Sequence, residues 1–184
     1  MSGTGNPTTT VVASGDSFID GVLTTSRWSD ATIHYSFPTS NSVYSYTTNT
    51  FLTSNFSALS TQQKDAAHFA LNTAYGGSGF SSTASAGFSV EGFTNLGVFY
   101  DSSADTISRE HIRLANTSSG VLSTARVSDF PGNSETTEVD DNGDVWFGGS
   151  GTTPTAGNYH WHTVIHEIGH ALGLSHGHST FQMG

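Results

Sequence analysis

Apolar and polar residues alternate in several short segments of the chain, as they do in half-buried β-strands. The clearest case is the segment 31–37, where Ile33, Tyr35 and Phe37 alternate with polar residues before Pro38. Five later segments with the same alternation are bounded by turn residues and are predicted strands: Phe88–Phe93, Val98–Tyr100, His111–Ala115, Thr124–Phe130 and Asp144–Phe147.

Two longer segments have the periodicity of amphipathic helices. In the first, over about 60–75, Ser60 and Gln63 have the spacing of a capping box, and Gly76 follows the last apolar residues. The second covers about 159–172. The order of strand, helix, several strands and helix predicts an α/β or α+β fold with one sheet and two main helices.

Length and charge limit the classes of partner. With 184 residues the chain has the size of one domain, and 15 acidic against 5 basic residues give a formal charge of −10. This charge argues against a nucleic-acid partner, which requires basic residues at its phosphates. No apolar run is long enough for a membrane span, and residues 1–10 do not resemble a Sec-type leader, so we expect neither.

The absence of cysteine restricts the chemistry of any metal site. The chain has 0 cysteines and 9 histidines. A tightly bound metal ion must therefore be held by histidine, by carboxylates or by backbone oxygens.

The segment HEIGHALGLSH carries the strongest chemical signal. His166 and His170 are four residues apart, so on a helix both can direct an imidazole to one metal ion. Gly173 allows the helix to end and the chain to turn back, which makes His176 the expected third ligand. Glu167 lies one residue further round the helix and is the expected general base rather than a ligand.

Three neutral imidazoles leave one open position on a tetrahedral zinc ion, which distinguishes a catalytic from a structural site. We therefore expect hydrolysis through a zinc-bound water, with Glu167 accepting its proton and passing it to the leaving amine. The alternative is that His166 and His170 are ordinary polar residues on an amphipathic helix, but that reading does not explain Gly173 and His176.

The motif HExxHxxGxxH at 166–176 resembles the zinc signature of the metzincin metalloendopeptidases, and its spelling resembles the serralysin-like branch of secreted bacterial proteases. The segments Gly15–Pro38 and Gly143–Gly149 are similar to other parts of that branch. The resemblance implies a zinc-dependent endopeptidase that acts on extended polypeptides. It also implies a secreted, extracellular bacterial protein, exported without a Sec leader.

The family resemblance implies a twisted, mixed five-stranded sheet with a backing helix and an active-site helix. Four strands would lie near 31–37, 86–94, 111–115 and 144–147, and Thr124–Phe130 would be an antiparallel edge strand above the cleft. Such an edge can bind an extended peptide by β-augmentation, although the segment also fits an ordinary edge strand. The expected substrate-binding residues are Ala125, Arg126, Val127, Ser128 and Asp129.

The resemblance also has departures. Metzincins place a methionine-containing turn some distance after the third histidine, whereas Met183 follows His176 too closely for that role. We therefore expect 18–184 to be the N-terminal part of a catalytic domain, with the remaining C-terminal part as a candidate partner chain. The alternative is a zinc-bound, inactive half-domain that assembles with a complementary chain. Residues 1–17 show little periodicity and are expected to form an N-terminal arm.

An acidic segment near residue 140 offers a second candidate metal site. Asp140, Asn142 and Asp144 bring oxygen ligands together around a glycine, so they are candidate Ca²⁺ ligands. An acidic turn leading into the next strand explains the same residues, because aspartate, asparagine and glycine are common in turns.

Overall fold

A computed structural model describes residues 8–44, 46, 49–72, 89–103, 110–118, 120, 122, 124–127 and 143–177. The strands are β1 (Thr8–Thr10), β2 (Ser26–Trp28), β3 (Thr32–Ser36), β4 (Gly97–Tyr100), β5 (Ile112–Asn116), β6 (Ala125–Val127) and β7 (Val145–Phe147). The helices are α1 (Ser17–Asp20), α2 (Thr50–Ser54), α3 (Thr61–Leu71), α4 (Val90–Phe93) and α5 (Tyr159–Ala171). None of these helices has the length and hydropathy that a membrane crossing requires.

The main sheet has five strands in the order β4-β3-β5-β7-β6. Strands β4, β3, β5 and β7 pair in parallel with one another, and β6 pairs antiparallel with β7 at one edge. The predicted mixed α/β architecture is therefore confirmed. The chain leaves β7, the neighbour of the edge strand β6, and runs through a loop into α5, the longest of the described helices.

Two apolar clusters cover this sheet. The larger one joins Ile33 and Leu114 of the sheet to Leu71 of α3 and Ile168 of α5. The neighbouring strand residue Ala115 belongs to the second cluster, which also contains Trp146 and Tyr44. Because successive strand residues point to opposite faces, both faces of the sheet are buried.

The predicted strand at Phe88–Phe93, or 86–94 in the family-based arrangement, is wrong within the described residues. Val90–Phe93 form the short helix α4, and the Ser89 hydroxyl accepts a hydrogen bond from the Gly92 amide at 3.0 Å. A serine at the N-cap favours a helical turn over an extended strand. The place in the sheet is taken by β4, which agrees with the strand predicted at Val98–Tyr100.

Helix α3 begins as predicted but ends earlier. The Ser60 amide donates to the Gln63 side chain at 2.9 Å, and the Gln63 amide donates to the Ser60 hydroxyl at 3.3 Å. Asn72 is extended rather than helical, and its side chain donates to the Val98 carbonyl at 2.9 Å. This tertiary bond to β4 ends the helix at Leu71 instead of near residue 75, and Gly76 lies outside the described residues.

The described part of the predicted arm at 1–17 is joined to the rest of the fold. Thr8–Thr10 pair antiparallel with Ser26–Trp28. The Asp16 carboxylate then accepts a hydrogen bond from the Phe18 amide at 2.9 Å and caps α1, which begins at Ser17. Residues 8–17 of the predicted arm therefore take part in strand pairing and helix capping.

Candidate metal centre

Helix α5 carries the first two histidines of the motif. Its N-cap is Asn158, whose side chain accepts a hydrogen bond from the Trp161 amide at 2.7 Å. Ile168 on this helix is buried in the main core, whereas His166 and His170 are partly exposed. The helix predicted over 159–172 is thus confirmed to within one residue, and its amphipathic period presents both imidazoles away from the core.

The helix ends in a Schellman motif centred on Gly173. The Leu174 amide donates to the Gly169 carbonyl at 3.0 Å, and the Gly173 amide donates to the His170 carbonyl at 2.9 Å. Gly173 has a φ of 100°, a conformation that only glycine adopts readily. The chain therefore reverses here, and His176 returns towards the helix as the sequence predicts.

The three histidines form a compact, nearly equilateral cluster. The Nε2 atom of His166 lies 3.0 Å from that of His170 and 3.1 Å from that of His176. The Nε2 atoms of His170 and His176 are 3.1 Å apart. Nitrogens about 2.0–2.1 Å from a tetrahedral zinc ion are about 3.3 Å apart, so the cluster matches such a site closely.

The cluster needs positive charge or shared protons at its centre. Three neutral rings that turn their lone pairs towards one another repel each other, and a cation that accepts all three lone pairs removes that repulsion. Burial first, and then the neighbouring His170, His176 and His162, lower the pKa of His166. The lowered pKa favours the neutral ring that metal binding requires.

Glu167 follows His166 on α5 and is buried, with 9% of its surface exposed. Among the described residues, the group of side chains close enough to share one ion consists of His166, His170 and His176 and does not include Glu167. The role of Glu167 as a general base rather than a ligand stays a prediction.

The 22–24 segment and Trp28 contact the end of α5 and the turn that leads to His176, and no pattern in the sequence pointed to them. Thr24 donates from its amide to the Gly173 carbonyl at 3.0 Å, and the Ser175 amide donates to the Val22 carbonyl at 2.8 Å. The Trp28 indole donates to the Ala171 carbonyl at 2.9 Å. These contacts join residues about 150 positions apart, so no local pattern could predict them.

Strand β6 lies at the edge of the sheet next to α5. It pairs with β7 through Ala125–Val127 and contacts the helix that carries the histidines. The predicted antiparallel strand at Thr124–Phe130 is thus present over three residues, including Ala125 and Arg126. Ser128 and Asp129 lie outside the described residues.

The described part of the acidic segment binds protein groups. Asp144 is fully buried, and its two carboxylate oxygens accept hydrogen bonds from the guanidinium of Arg113. One of them also accepts a hydrogen bond from the Tyr46 hydroxyl. The structure thus gives Asp144 an ion-pair role in the core, while Asp140 and Asn142 lie outside the described residues.

Comparison with known proteins adds no family assignment. A scan against protein-family models and a search of curated proteins both found no match for this chain. Any function assigned to this chain therefore rests on the histidine cluster, its surroundings and the sequence motif.

Proposed function

We propose that the chain is a zinc-dependent endopeptidase that hydrolyses peptide bonds in extended polypeptides, with Glu167 as the general base. One observation carries the proposal: the Nε2 atoms of His166, His170 and His176 lie 3.0–3.1 Å from one another. The resemblance of this motif to the metzincin zinc signature supports the same assignment.

The donor set favours zinc. Three imidazole nitrogens and no thiolate suit a four-coordinate zinc site that keeps one position open for chemistry. When bound, zinc would lower the pKa of a coordinated water towards neutrality and polarise the scissile carbonyl. Imidazole also binds copper, nickel and iron, so metal analysis belongs to the test.

The place of Glu167 in the chain supports a role in proton transfer. It lies on α5 directly after His166, outside the group of three ligands, and it is largely shielded from bulk water. We expect its carboxylate to accept a proton from the attacking water and to donate that proton to the leaving amine. This sequence of transfers needs no covalent intermediate with the protein.

The edge strand β6 suits the binding of an extended substrate. A substrate strand added to β6 would form backbone hydrogen bonds beside α5, because β6 ends the sheet and lies against that helix. Backbone pairing requires an extended chain rather than a particular side chain. The proposed substrates are therefore unfolded or locally extended polypeptides.

The first test compares metal content and proteolysis in matched variants. The purified chain should contain one zinc ion and cleave fluorescently labelled casein. Glu167→Gln should keep the zinc and lose at least about 100-fold in rate, the magnitude typical of a lost general base. Glu91→Gln makes the same chemical change on α4 and should retain both zinc and activity.

Two results would contradict the proposal. Cleavage by Glu167→Gln at the wild-type rate would show that Glu167 is not the general base. A wild-type chain that holds stoichiometric zinc and cleaves nothing would instead favour the zinc-bound half-domain whose role is assembly.

A further inference from the structure

The segment that carries His176 is paired with a distant part of the chain. Leu23 and Leu174 form an antiparallel β-bridge. Its two hydrogen bonds run from the Thr24 amide to the Gly173 carbonyl and from the Ser175 amide to the Val22 carbonyl, at 3.0 and 2.8 Å. The bridge therefore ends one residue before the third histidine.

Two side chains reinforce this pairing. The Thr24 hydroxyl lies 2.8 Å from the Gly173 carbonyl and 2.6 Å from the Ser26 carbonyl, so its single proton is shared between two acceptors. The buried Trp28 indole donates to the Ala171 carbonyl at 2.9 Å. Carbonyls in the last turn of a helix have no partner within the helix, so the Trp28 indole fixes the end of α5 from outside, and Thr24 holds the turn that follows it.

The 22–28 segment is itself anchored. Its last three residues form β2, which pairs with Thr8–Thr10 of β1. The Trp28 ring packs edge-on against His111, with ring centroids 5.1 Å apart. The segment thus connects the end of α5 to a fixed part of the fold.

This anchoring matters because His176 lies beyond the helix. His166 and His170 are held by the helix backbone, whereas His176 is exposed and follows a glycine turn. Fixing the backbone of a residue costs conformational entropy, and a ligand that is already in place when the metal arrives does not add that cost to binding.

We infer that Thr24 and Trp28 are positioning residues for the third metal ligand, and that they raise zinc affinity by holding the 173–175 segment in place. The inference rests on the proposed function, because it assumes that the three histidines bind zinc. Neither residue belongs to the histidine cluster. Both act through the backbone that leads to His176.

The test is a double-mutant cycle on the zinc dissociation constant, measured by competition with a chromophoric chelator. Thr24→Val removes the hydroxyl at nearly constant shape and should weaken zinc binding about 3- to 10-fold, the range expected for one hydrogen bond. Thr24→Ser keeps the hydroxyl and should bind zinc with nearly wild-type affinity. Thr53→Val removes a hydroxyl-to-carbonyl bond on α2 and should have no effect.

The double-mutant cycle shows whether the effect of Thr24→Val on zinc affinity depends on His176. In a His176→Ala background, Thr24→Val should change the zinc dissociation constant less than twofold, because the ligand it positions is gone. An equal effect with and without His176 would overturn the inference. So would an unchanged dissociation constant in Thr24→Val when the wild-type chain binds zinc.

Trp28→Phe provides an independent variant, because it removes the indole donor and retains an aromatic ring. It should also weaken zinc binding at least threefold, and urea unfolding of the metal-free chain checks that it is folded. A wild-type chain that binds no zinc would overturn the proposed function itself, together with this inference. The two failures are therefore distinguishable.

Discussion

The Nδ1 atom of His170 lies 2.7 Å from the carbonyl oxygen of Leu174. In this pair the ring N–H donates to the carbonyl, so the neutral ring keeps its lone pair on Nε2, the atom that faces the cluster. Such an outer contact is typical of metal-binding histidines. Because Leu174 also pairs with Leu23, one short backbone segment both orients His170 and leads to His176.

Removal of His170 should abolish tight zinc binding. His170→Ala takes away one of three nitrogens and opens the centre of the cluster, so we expect the zinc dissociation constant to rise at least about 100-fold. His162→Ala is the matched control, because it removes an exposed histidine of the same helix that is not one of the three ligands. His162 lies one turn before His166, and their stacked ring centroids are 5.5 Å apart.

Zinc titration followed by a chelator dye compares the two variants. A change of less than about threefold is expected for His162→Ala. If His162→Ala were as defective as His170→Ala, the ligand set assigned above would be wrong.

The glycine at the end of α5 should matter for both stability and zinc affinity. Gly173 has a φ of 100°, and placing alanine in the left-handed region costs about 1–2 kcal/mol of unfolding free energy. Relief of that strain would move the turn before His176, so Gly173→Ala should also bind zinc more weakly.

Gly157→Ala is the control for this prediction. Gly157 also has a positive φ, 85°, and no atom lies within 4 Å of the position of its added Cβ. It precedes α5 at the end opposite the turn, so this variant should lose similar stability and retain wild-type zinc affinity. Equal zinc affinity in Gly173→Ala and Gly157→Ala would show that the conformation of the turn at Gly173 does not affect zinc binding.

The parts of the fold that depend on local pattern were predictable from the sequence. The capping box at Ser60 and the helical spacing of His166 and His170 are set by neighbouring residues, and the structure confirms both helices. The strand around Ile33 and Tyr35 follows from alternation in the same way.

The remaining features depend on contacts between distant residues. The segment around Val90 alternates like a strand, but the Ser89 cap and the pairing of β4 with β3 place a helix there. Likewise, nothing near Thr24 or Trp28 in the sequence indicates the end of α5. An acidic cluster does not reveal that Asp144 meets Arg113, because that pair forms only when β5 and β7 adjoin.

The Arg113–Asp144 pair should contribute strongly to stability. Both side chains are almost completely buried, and Asp144→Asn would leave the guanidinium without its counter-charge. Breaking a buried pair in this way costs about 3–5 kcal/mol, a large part of a typical domain's stability. Asp16→Asn makes the same change at the exposed cap of α1, where asparagine caps equally well, and should shift stability by less than about 0.5 kcal/mol.

Urea unfolding monitored by tryptophan fluorescence measures both variants. A loss below about 1 kcal/mol in Asp144→Asn would mean that the pair contributes little and that Asp144 tolerates a neutral side chain.

Acid should weaken the fold through His68, whose Nδ1 lies 2.6 Å from the Tyr35 hydroxyl in the core. Burial lowers the pKa of His68 to about 4, against the opposing effect of Asp65. Because the unfolded chain binds the proton more readily, the contribution of neutral His68 is present above about pH 6.5 and is lost as the pH falls towards 4. The loss is at most about 1.4 kcal/mol per pH unit.

His68→Gln cannot titrate at this position and can still form a hydrogen bond with Tyr35. The stability of the wild-type chain relative to His68→Gln, measured by urea unfolding without metal, should therefore decrease from pH 7 to pH 4.5. A constant difference would show that His68 titrates alike in the folded and the unfolded chain.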